Sequence, residues 1–537
     1  MTGTKYIFVT GGVCSGLGKG IVASSIGALL KATNFRVFSL KFDPYLNVDP
    51  GTMNPYQHGE VYVLEDGTET DLDLGHYERF LDVNLNAESN MTTGQAYQEV
   101  IAKERKGTFL GKTIQIIPHI TDAIKKRIYS TAKSSNANFL IMEIGGTVGD
   151  IEGEPFLEAA RQLHQEVGNQ NVLFVHVALL PYLKTSHELK TKPVQASVRE
   201  LRRLGIQPEI IIARADYPIK KEHLEKVSLF CDVPVKAVIP AQTSKSIYEV
   251  PLNLERHGIS DIIFSQFQIK TQKPNLSSWK TLVRRIQHPT KSVRIGMVGK
   301  YTELGDAYLS VLEALKSATY YHNAKLKLEW IDAEKIEKKD KKEWATLQSV
   351  DGIVIPGGFG SRGIEGKISA AGYARTHNVP FLGLCLGMQI AVIEFARSVL
   401  KLKGANSTEF DEKTKDPVIH IMSEQEKKLM KQEYGASMRL GSWPCVLSKG
   451  SLALKAYGAP RVLERHRHRY EFNNVYREQI EEAGMSITGV SPDKLLVEIV
   501  ELKDHPWFVG VQFHPEFQSR PIRPHPLFRD FLHASLR

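Results

Sequence analysis

Two groups of residues in this 537-residue chain have the types and spacing to carry chemistry. The first is Cys385 with His514 and Glu516. Cys385 stands in Gly383-Leu-Cys385-Leu-Gly387, after the apolar Pro380-Phe-Leu and before a helical pattern starting at Met388. G-x-C-x-G between a strand and a helix matches a nucleophile elbow with cysteine in place of serine. The glycines permit the sharp turn, and a helix N-terminus favours the thiolate. A cysteine nucleophile needs a base, and the base needs an orienting group. Val509-Gly-Val-Gln-Phe-His514-Pro-Glu516 supplies both at the end of another apolar run, and the two-residue spacing puts both side chains on one side of an extended backbone. Backbone donors for an oxyanion are available from Pro356-Gly-Gly358-Phe-Gly360 and from Leu386. The alternative for Cys385 is a buried structural thiol, the commonest fate of a free cysteine. The elbow combined with a separate His-x-Glu strand end favours the nucleophile.

The second group centres on Gly11–Gly20, GGVCSGLGKG, between the apolar run Tyr6–Val9 and a helical pattern over Ile21–Leu30. Such a turn presents backbone N–H groups to an anion with a helix dipole behind them, and Lys19 adds a point charge for phosphate. The spacing departs from G-x-x-x-x-G-K-[ST]. Val13 stands where the first glycine belongs and Gly20 replaces the hydroxyl residue that would bind magnesium. The metal ligand must then come from elsewhere. Glu143 ends the apolar run Phe139–Met142, as an acid at a Walker-B position does, and Glu69-Thr-Asp-Leu-Asp73 offers a second acid. Magnesium needs only one or two carboxylates plus phosphate oxygens, so Asp73 and Glu143 would suffice. A lone acid is more often a cap or a surface group, but a carboxylate flanked by apolar residues, as Glu143 is, is costly unless paired. Lys190-Thr-Lys-Pro-Val-Gln195 follows a run ending at Leu180 and reads equally as a triphosphate grip or a solvated loop. Arg465-His-Arg-His-Arg469 reads as a solvated strand face or as a carboxylate- or phosphate-recognising cluster.

These residues need scaffolds. From residue 5 to about 265, short apolar runs alternate with helical patterns. The expected strands are 36–42, 113–117, 139–144, 172–179, 209–213 and 236–239, with helices over 122–133, 156–167 and 198–204. This alternation implies a parallel sheet covered on both faces, with ligands at the strands' carboxyl ends. Residues 271–292, rich in proline, serine and basic groups, read as an interdomain linker. A second alternating unit follows, with strands over 293–298, 325–330, 352–355, 381–385 and 508–512 and helices over 307–320 and 388–400. The expected class is α/β with two doubly wound domains, 1–270 and 293–537.

Composition sets the outer bounds. The chain is 42% hydrophobic and 24% charged, ordinary for a soluble globular protein. It has no apolar run long enough to span a membrane and no basic, apolar leader at its start, so no membrane association and a cytoplasmic location are expected. Four scattered cysteines fit neither a disulfide framework nor a zinc site and suit a reducing compartment. The net charge of +9 is spread out, and polyanionic small ligands account for it as well as nucleic acid does; no nucleic-acid partner is expected.

Taken together, the motifs resemble the CTP synthase family over essentially the whole chain. PGGFG, GLCLGMQ and FHPEF resemble a class I glutamine amidotransferase. GGVxSxxGKG, KxDPYxNxDPGT, HGEVxVxEDGxETDLDLGxYERF and EIGGTVGDIE resemble the family's synthase (amidoligase) domain, a P-loop-like parallel sheet. The resemblance implies ATP-dependent amination of UTP to CTP through a 4-phosphorylated intermediate, with ammonia released from glutamine and passed internally.

It also implies the site residues. Cys385, His514 and Glu516 correspond to the glutaminase triad, and Lys19 to the catalytic lysine of the synthase site. Gly16, Leu17, Gly18, Lys19, Gly20, Ile21 and Asp73 correspond to the ATP site, and Asp73 and Glu143 to the Mg2+ ligands. Ser15, Asp150, Ile151, Glu152, Lys190, Thr191, Lys192, Pro193, Val194, Gln195 and Lys226 correspond to a site for UTP, shared by CTP as feedback inhibitor. Gly358, Leu386, Gly387, Met388, Gln389, Glu409 and Arg469 correspond to the glutamine site, and Phe359 and Arg362 to a lid responding to GTP as allosteric activator. Homotetramers and filaments are implied at family level. Three departures stand out: Val194 in place of a threonine, Glu152-Gly-Glu-Pro155 and Gly435-Ala-Ser-Met438. Competing readings are another P-loop amidoligase, of the cobyrinate or dethiobiotin synthetase kind, and a non-catalytic filament subunit.

Overall fold

The computed structural model describes residues 3–48, 59–270, 272–300, 305–421 and 438–536. The end of the DPYLNVDPGT block (49–52) and most of Gly435–Met438 therefore lie outside the described residues. The chain divides into two compact units, one formed by 1–50 and 73–283, the other by 51–72 and 284–537.

The first unit is built on seven parallel strands: β1 Lys5–Gly12, β2 Val37–Asp43, β3 Asn90–Thr92, β4 Phe139–Ile144, β5 Val172–Leu179, β6 Ile210–Ala215 and β7 Val238–Gln242, in the order β7-β6-β5-β1-β4-β2-β3. β1 is buried at every position, as a near-continuous apolar run flanked on both sides by parallel neighbours must be. Beneath it, Phe8 stacks on Phe174 of β5 at 5.3 Å. Helix α1 (Lys19–Lys31) leaves the loop after β1, α2 (Asp73–Leu81) begins at the first candidate metal ligand, and α3 (Lys192–Arg203) follows β5. α3 starts six residues before the predicted 198–204, because Pro193 in its first turn has the φ a helix needs and gives up an N–H that would have no partner there. The stretch 271–292 holds helix α4 (Ser277–Gln287), whose buried Trp279 packs on Phe80 at 5.4 Å.

One predicted strand is absent. Residues 113–117 join no sheet; Ile116 and Ile117 are exposed, and a single wide helical turn covers Ile116–Ile120. The edge beside β2 is taken by the short β3 instead. Alternating apolar residues without a neighbouring strand have no ladder to join.

In the second unit a nine-stranded mixed sheet comprises β8 Lys291–Gly299, β9 Ala324–Asp332, β10 Gly352–Ile355, β11 Phe381–Leu384, β12 Arg439–Leu447, β13 Arg461–His468, β14 Met485–Val490, β15 Val497–Leu502 and β16 Phe508–Val511. The order is β9-β8-β10-β11-β16-β15-β14-β12-β13. The half from β9 to β16 is parallel and the remainder antiparallel. Helix α5 (Leu309–Tyr321) lies against β9, and helix α6 (Leu386–Ser398) starts at the end of β11. The hairpin Tyr62–Val63/Glu69–Thr70, although it belongs to the first half of the sequence, packs with this unit. Among the described residues, no helix is long and apolar enough to cross a membrane.

Candidate active sites

In the second unit, β11 and β16 are neighbours with Leu384 opposite Val511, so the residues that follow each strand leave the sheet side by side. Cys385 is the residue after β11. Its N–H donates to Val511 O at 2.7 Å, and its φ of +50° is rare for a residue with a side chain. Both flanking glycines are required by close approach. A Cβ on Gly383 would lie 2.6 Å from the Gly387 carbonyl group, and one on Gly387 would lie 2.2 Å from Ile355 O. Cys385 is 4% exposed at the start of α6. Met388 and Gln389 donate to the Cys385 carbonyl, which leaves the N–H groups of Leu386 and Gly387 without an intrahelical acceptor.

His514 follows β16, and its Nδ1 lies 2.7 Å from Glu516 Oε1. Its Nε2 has no hydrogen-bond partner among the described residues. Burial opposes its positive charge, but Glu516 and Cys385 outweigh burial and raise its pKa to about 10. The ring stacks on Phe517 at 5.3 Å, and Gly357 approaches so closely that a Cβ there would lie 2.7 Å from Cε1. Cysteine, imidazole and carboxylate thus occupy one wall of a cavity of about 270 Å³, also lined by Gly358, Phe359, Lys300 and Arg467, and by Glu60 and Val61.

Those last two residues belong to the hairpin segment, which several contacts tie down. Ser310 N donates to Glu60 Oε2 at 2.9 Å, Tyr62 O–H to Phe517 O at 2.8 Å, Arg465 to Val63 O at 3.1 Å, and Arg467 Nε to Glu69 Oε1 at 2.7 Å. Glu69 is therefore the partner of an arginine of the second unit. Arg465, His466 and His468 are buried, so residues 465–468 are not a solvated face. Two arginines of the 465–469 cluster do meet carboxylates: Arg467 meets Glu69, and Arg469 lies close enough to Glu409 to stabilise its charge. Gly360 N donates to Glu409 Oε1 at 2.9 Å. Gln389 is buried and donates to Tyr470 O at 3.0 Å, while the Leu386 and Met388 side chains lie in the core, leaving their backbones to face the cysteine. Phe359 lies under the Arg467 guanidinium at 5.2 Å, and Arg362 donates to Glu334 at 2.6 Å.

In the first unit the carboxyl ends of β1, β2 and β4 carry a dense charged cluster. Lys19, the first residue of α1, is 8% exposed and donates to Gly146 O at 2.6 Å; burial lowers its pKa. Lys41 of β2 lies between three carboxylates. It donates to Asp73 and, at 3.2 Å, to Glu143, and it stands 3.7 Å from Asp43. The Tyr77 hydroxyl donates to the other Glu143 oxygen. Burial raises the Glu143 pKa against the pull of Lys41, whereas at Asp73 Lys41 overcomes burial and lowers it.

The geometry around Gly20 tests whether these acids suit a hard cation. A Cβ there would meet Glu143 Oε2 at 3.1 Å and Asp73 Oδ1 at 3.5 Å. The two carboxylates thus fill the place where a standard loop carries its hydroxyl ligand, and paired oxygen donors beside a phosphate loop fit magnesium. A pocket of about 200 Å³ adjoins the loop, lined by Gly16–Gly18, Ile21, Val22 and, from the far wall, Arg214, Gln242, Ile247, Asn253 and Leu254. Arg214 braces it by donating to Leu17 O at 3.2 Å and Ala241 O at 2.8 Å.

Comparisons with known proteins cover both units. The family described as CTP synthase N-terminus matches residues 5–269, and glutamine amidotransferase class-I matches 303–534. The CTP synthase of Carboxydothermus hydrogenoformans is 57% identical over 534 residues, 99% of each chain. That of Roseiflexus castenholzii is 58% identical over 532 residues, 99% of this chain and 95% of the relative. The chain belongs to the CTP synthase family. A solved glutaminase domain of Trypanosoma brucei CTPS with bound acivicin is 39% identical, covering 45% of this chain and 93% of that one, with a TM-score of 0.43.

The residues that resemble the CTP synthase pyrimidine-nucleotide site fall on four segments: Ser15, Asp150–Glu152, Lys190–Gln195 and Lys226. Ser15 is exposed on the phosphate loop. Asp150 accepts from Thr147 N at 2.7 Å, and Ile151 and Glu152 beside it are exposed; neighbouring Gly149 faces Glu200 of α3. Lys190 pairs with Glu188, whose charge Lys226 also stabilises, so two of the lysines converge on one carboxylate. Thr191 accepts from Gln195 Nε2 at 3.1 Å, and Lys192 and Pro193 open α3. Val194 is fully buried, so it offers an anion only its backbone N–H in the first turn. The sequence shows Lys41 only as the first residue of KxDPYxNxDPGT, with no role of its own, and does not mark Arg214 or the 241–254 wall. The available signal for Lys41 was a lysine inside an apolar strand, which must be paired if buried.

Proposed function

We propose that this protein makes CTP from UTP, ATP and glutamine, hydrolysing glutamine at Cys385 and aminating UTP beside the Gly11–Gly20 loop. The observation that carries this reading is that one chain holds a strained cysteine elbow facing a histidine–carboxylate pair, and a phosphate loop faced by two acids.

At the first site, the Cys385 sulfur attacks the amide carbon of glutamine as a thiolate, beside His514, whose raised pKa keeps the proton on its ring at neutral pH. N–H groups of Leu386 and of the Gly357–Gly358 turn take up the oxyanion charge. His514 gives its proton to the departing ammonia, leaving a thioester that water hydrolyses to glutamate with His514 as base. Glu409 and Arg469 carry charges opposite to the substrate's ammonium and carboxylate. Gly358, Gly387, Met388 and Gln389 shape the wall.

At the second site, O4 of UTP attacks the γ-phosphorus of ATP and ADP leaves; ammonia then adds at C4 and phosphate departs. The Gly16–Ile21 loop and Lys19 neutralise charge developing on the transferred group. Asp73 and Glu143 would hold Mg2+, which when bound supplies charge neutralisation on the phosphate oxygens. Lys41 holds both acids in place beforehand. The apolar pocket walled by Ile247 and Leu254 takes the adenine ring. Ser15 and the Lys190–Gln195 segment take the UTP triphosphate, with Asp150–Glu152 and Lys226 toward the base and ribose.

In the same reading CTP inhibits by occupying that pyrimidine site, GTP activates through the lid residues Phe359 and Arg362, and the working form is a homotetramer in the cytoplasm. Support for these last points is the resemblance of the motifs.

Incubating the purified protein with ATP, Mg2+, UTP and glutamine should yield CTP, and its absence contradicts the reading. Lys19→Ala should abolish CTP formation from glutamine and from ammonium salts alike; substantial turnover with ammonium removes Lys19 from the phosphoryl-transfer step.

A further inference from the structure

Beneath the phosphate loop lies a buried histidine that neither reaction uses. His176 of β5 is fully buried, and both ring nitrogens are engaged. Nδ1 lies 2.9 Å from Thr10 Oγ1 on β1, and Nε2 lies 2.8 Å from Ser197 Oγ on α3. Thr10 Oγ1 also lies 3.5 Å from Val175 O, and a neutral ring satisfies both hydroxyls, one nitrogen donating and the other accepting. The result is a hydrogen-bonded chain that links Ser197, His176 and Thr10. Burial, and then Lys19, push the His176 pKa down to about 3, so the neutral ring this chain requires is the form present at any working pH.

The two ends of the chain matter because of what they carry. Thr10 directly precedes Gly11 and Gly12, the first residues of the phosphate loop, and Ser197 lies two positions beyond Gln195, on the helix whose first turn holds Lys192–Val194. The seam between them is closed to atomic contact. A Cβ on Gly12 would sit 1.5 Å from Ser197 Oγ and 3.0 Å from His176 Nε2, so the loop's second residue is glycine because the Ser197 hydroxyl occupies its side-chain space. A small shift of α3 relative to the loop would break the 2.8 Å contact or drive Ser197 into Gly12.

We infer that His176 is a positioning residue that locks the register between the phosphate loop and the N-terminus of α3, so that ATP at the loop and UTP at the helix tighten each other's binding. The inference rests on the assignment of these two segments to the two nucleotides. A histidine serving only to fill the core would not need one hydrogen bond to each nucleotide-bearing element.

The test measures binding of the imidodiphosphate analogue of ATP with Mg2+, and of UTP, each alone and with the other saturating. It uses the full chain and two variants, Ser197→Ala, which removes one hydroxyl, and His176→Asn, which keeps a polar group toward Thr10 and loses the reach to Ser197. In the unaltered protein each nucleotide should lower the other's Kd by about fivefold or more, the usual floor of allosteric coupling. In both variants the ratio should fall below about twofold, with each nucleotide's Kd alone changing by less than about threefold and glutaminase activity retained. Variants that keep the full ratio overturn the inference. So does a lost ratio accompanied by a general loss of single-nucleotide affinity and a lower Tm, which is the mark of a purely structural histidine. Failure of the unaltered protein to bind UTP at all would instead bring down the nucleotide assignment, and the inference with it.

Discussion

At the residue scale, the decisive quantities are charges held out of water. His514 is the clearest. Its pKa is raised from 6.5 to about 10 because Glu516 and Cys385 outweigh burial. A raised pKa in the folded state stabilises the fold fully below the unfolded value, about pH 6.5, and that stabilisation disappears as the pH rises through about 10. Glu516→Gln removes the partner. The Tm gap between unaltered protein and variant should therefore be widest near pH 6.5 and should close above about pH 10. A gap that widens with rising pH contradicts this assignment of the ion pair. Lys41 is the second case, a buried ammonium among Asp43, Asp73 and Glu143. Lys41→Met strands two buried carboxylates, Asp43 and Glu143, and a half-buried one, Asp73, and should cost about 3–5 kcal/mol of stability, read as a lower urea midpoint at neutral pH. A variant as stable as the parent would mean that the acids are not held by this lysine. That Cys385, His514 and Glu516 come together on one cavity was legible in the sequence, because they follow apolar runs that end as neighbouring strands. Lys41 was not, because its role comes from three partners remote in sequence.

At the scale of elements, both sites sit where parallel strands end. The apolar alternation pointed to those ends correctly for β1, β4, β11 and β16, since a strand buried on both faces leaves little ambiguity. It failed at 113–117, where an alternating pattern found no neighbouring strand. It was also short at α3, where the proline that opens the helix reads in isolation like a loop residue. The element that positions Cys385, the proposed nucleophile, is the β11–α6 elbow, and its tolerance is set by Gly387. A methyl group there would come within 2.2 Å of the Ile355 carbonyl oxygen, a backbone atom that cannot step aside without moving β10. Gly387→Ala should lower glutamine-dependent activity at least tenfold, roughly the effect of about 1.4 kcal/mol on the barrier, while ammonium-dependent CTP formation stays near the parent rate. Equal loss with both nitrogen sources would show that the elbow is not confined to the glutaminase.

At the scale of the whole molecule, the chain is two units with separate cores, and the sequence boundary between the halves is not the boundary of packing. Residues 59–72 lie within the first half of the sequence, yet their hairpin builds a wall of the cysteine cavity, held by Arg465 and Arg467. Nothing local in that segment announces this. Glu60 and Glu69 read as ordinary acids until the serine and arginine that face them, far along the chain, are known. The two-site scheme itself was legible, because each site is assembled mainly from motifs at strand ends within its own half.

The central claim is that glutamine is cleaved at Cys385 only to supply ammonia for a reaction carried out elsewhere. Cys385→Ala tests it most directly, with CTP formation measured using glutamine and, separately, using ammonium chloride at the same ATP and UTP. The account predicts that the glutamine-dependent rate disappears while the ammonium-dependent rate stays within about twofold of the parent, because the two chemistries use different residues. Loss of both rates in a folded variant, or survival of the glutamine-dependent rate, would contradict it.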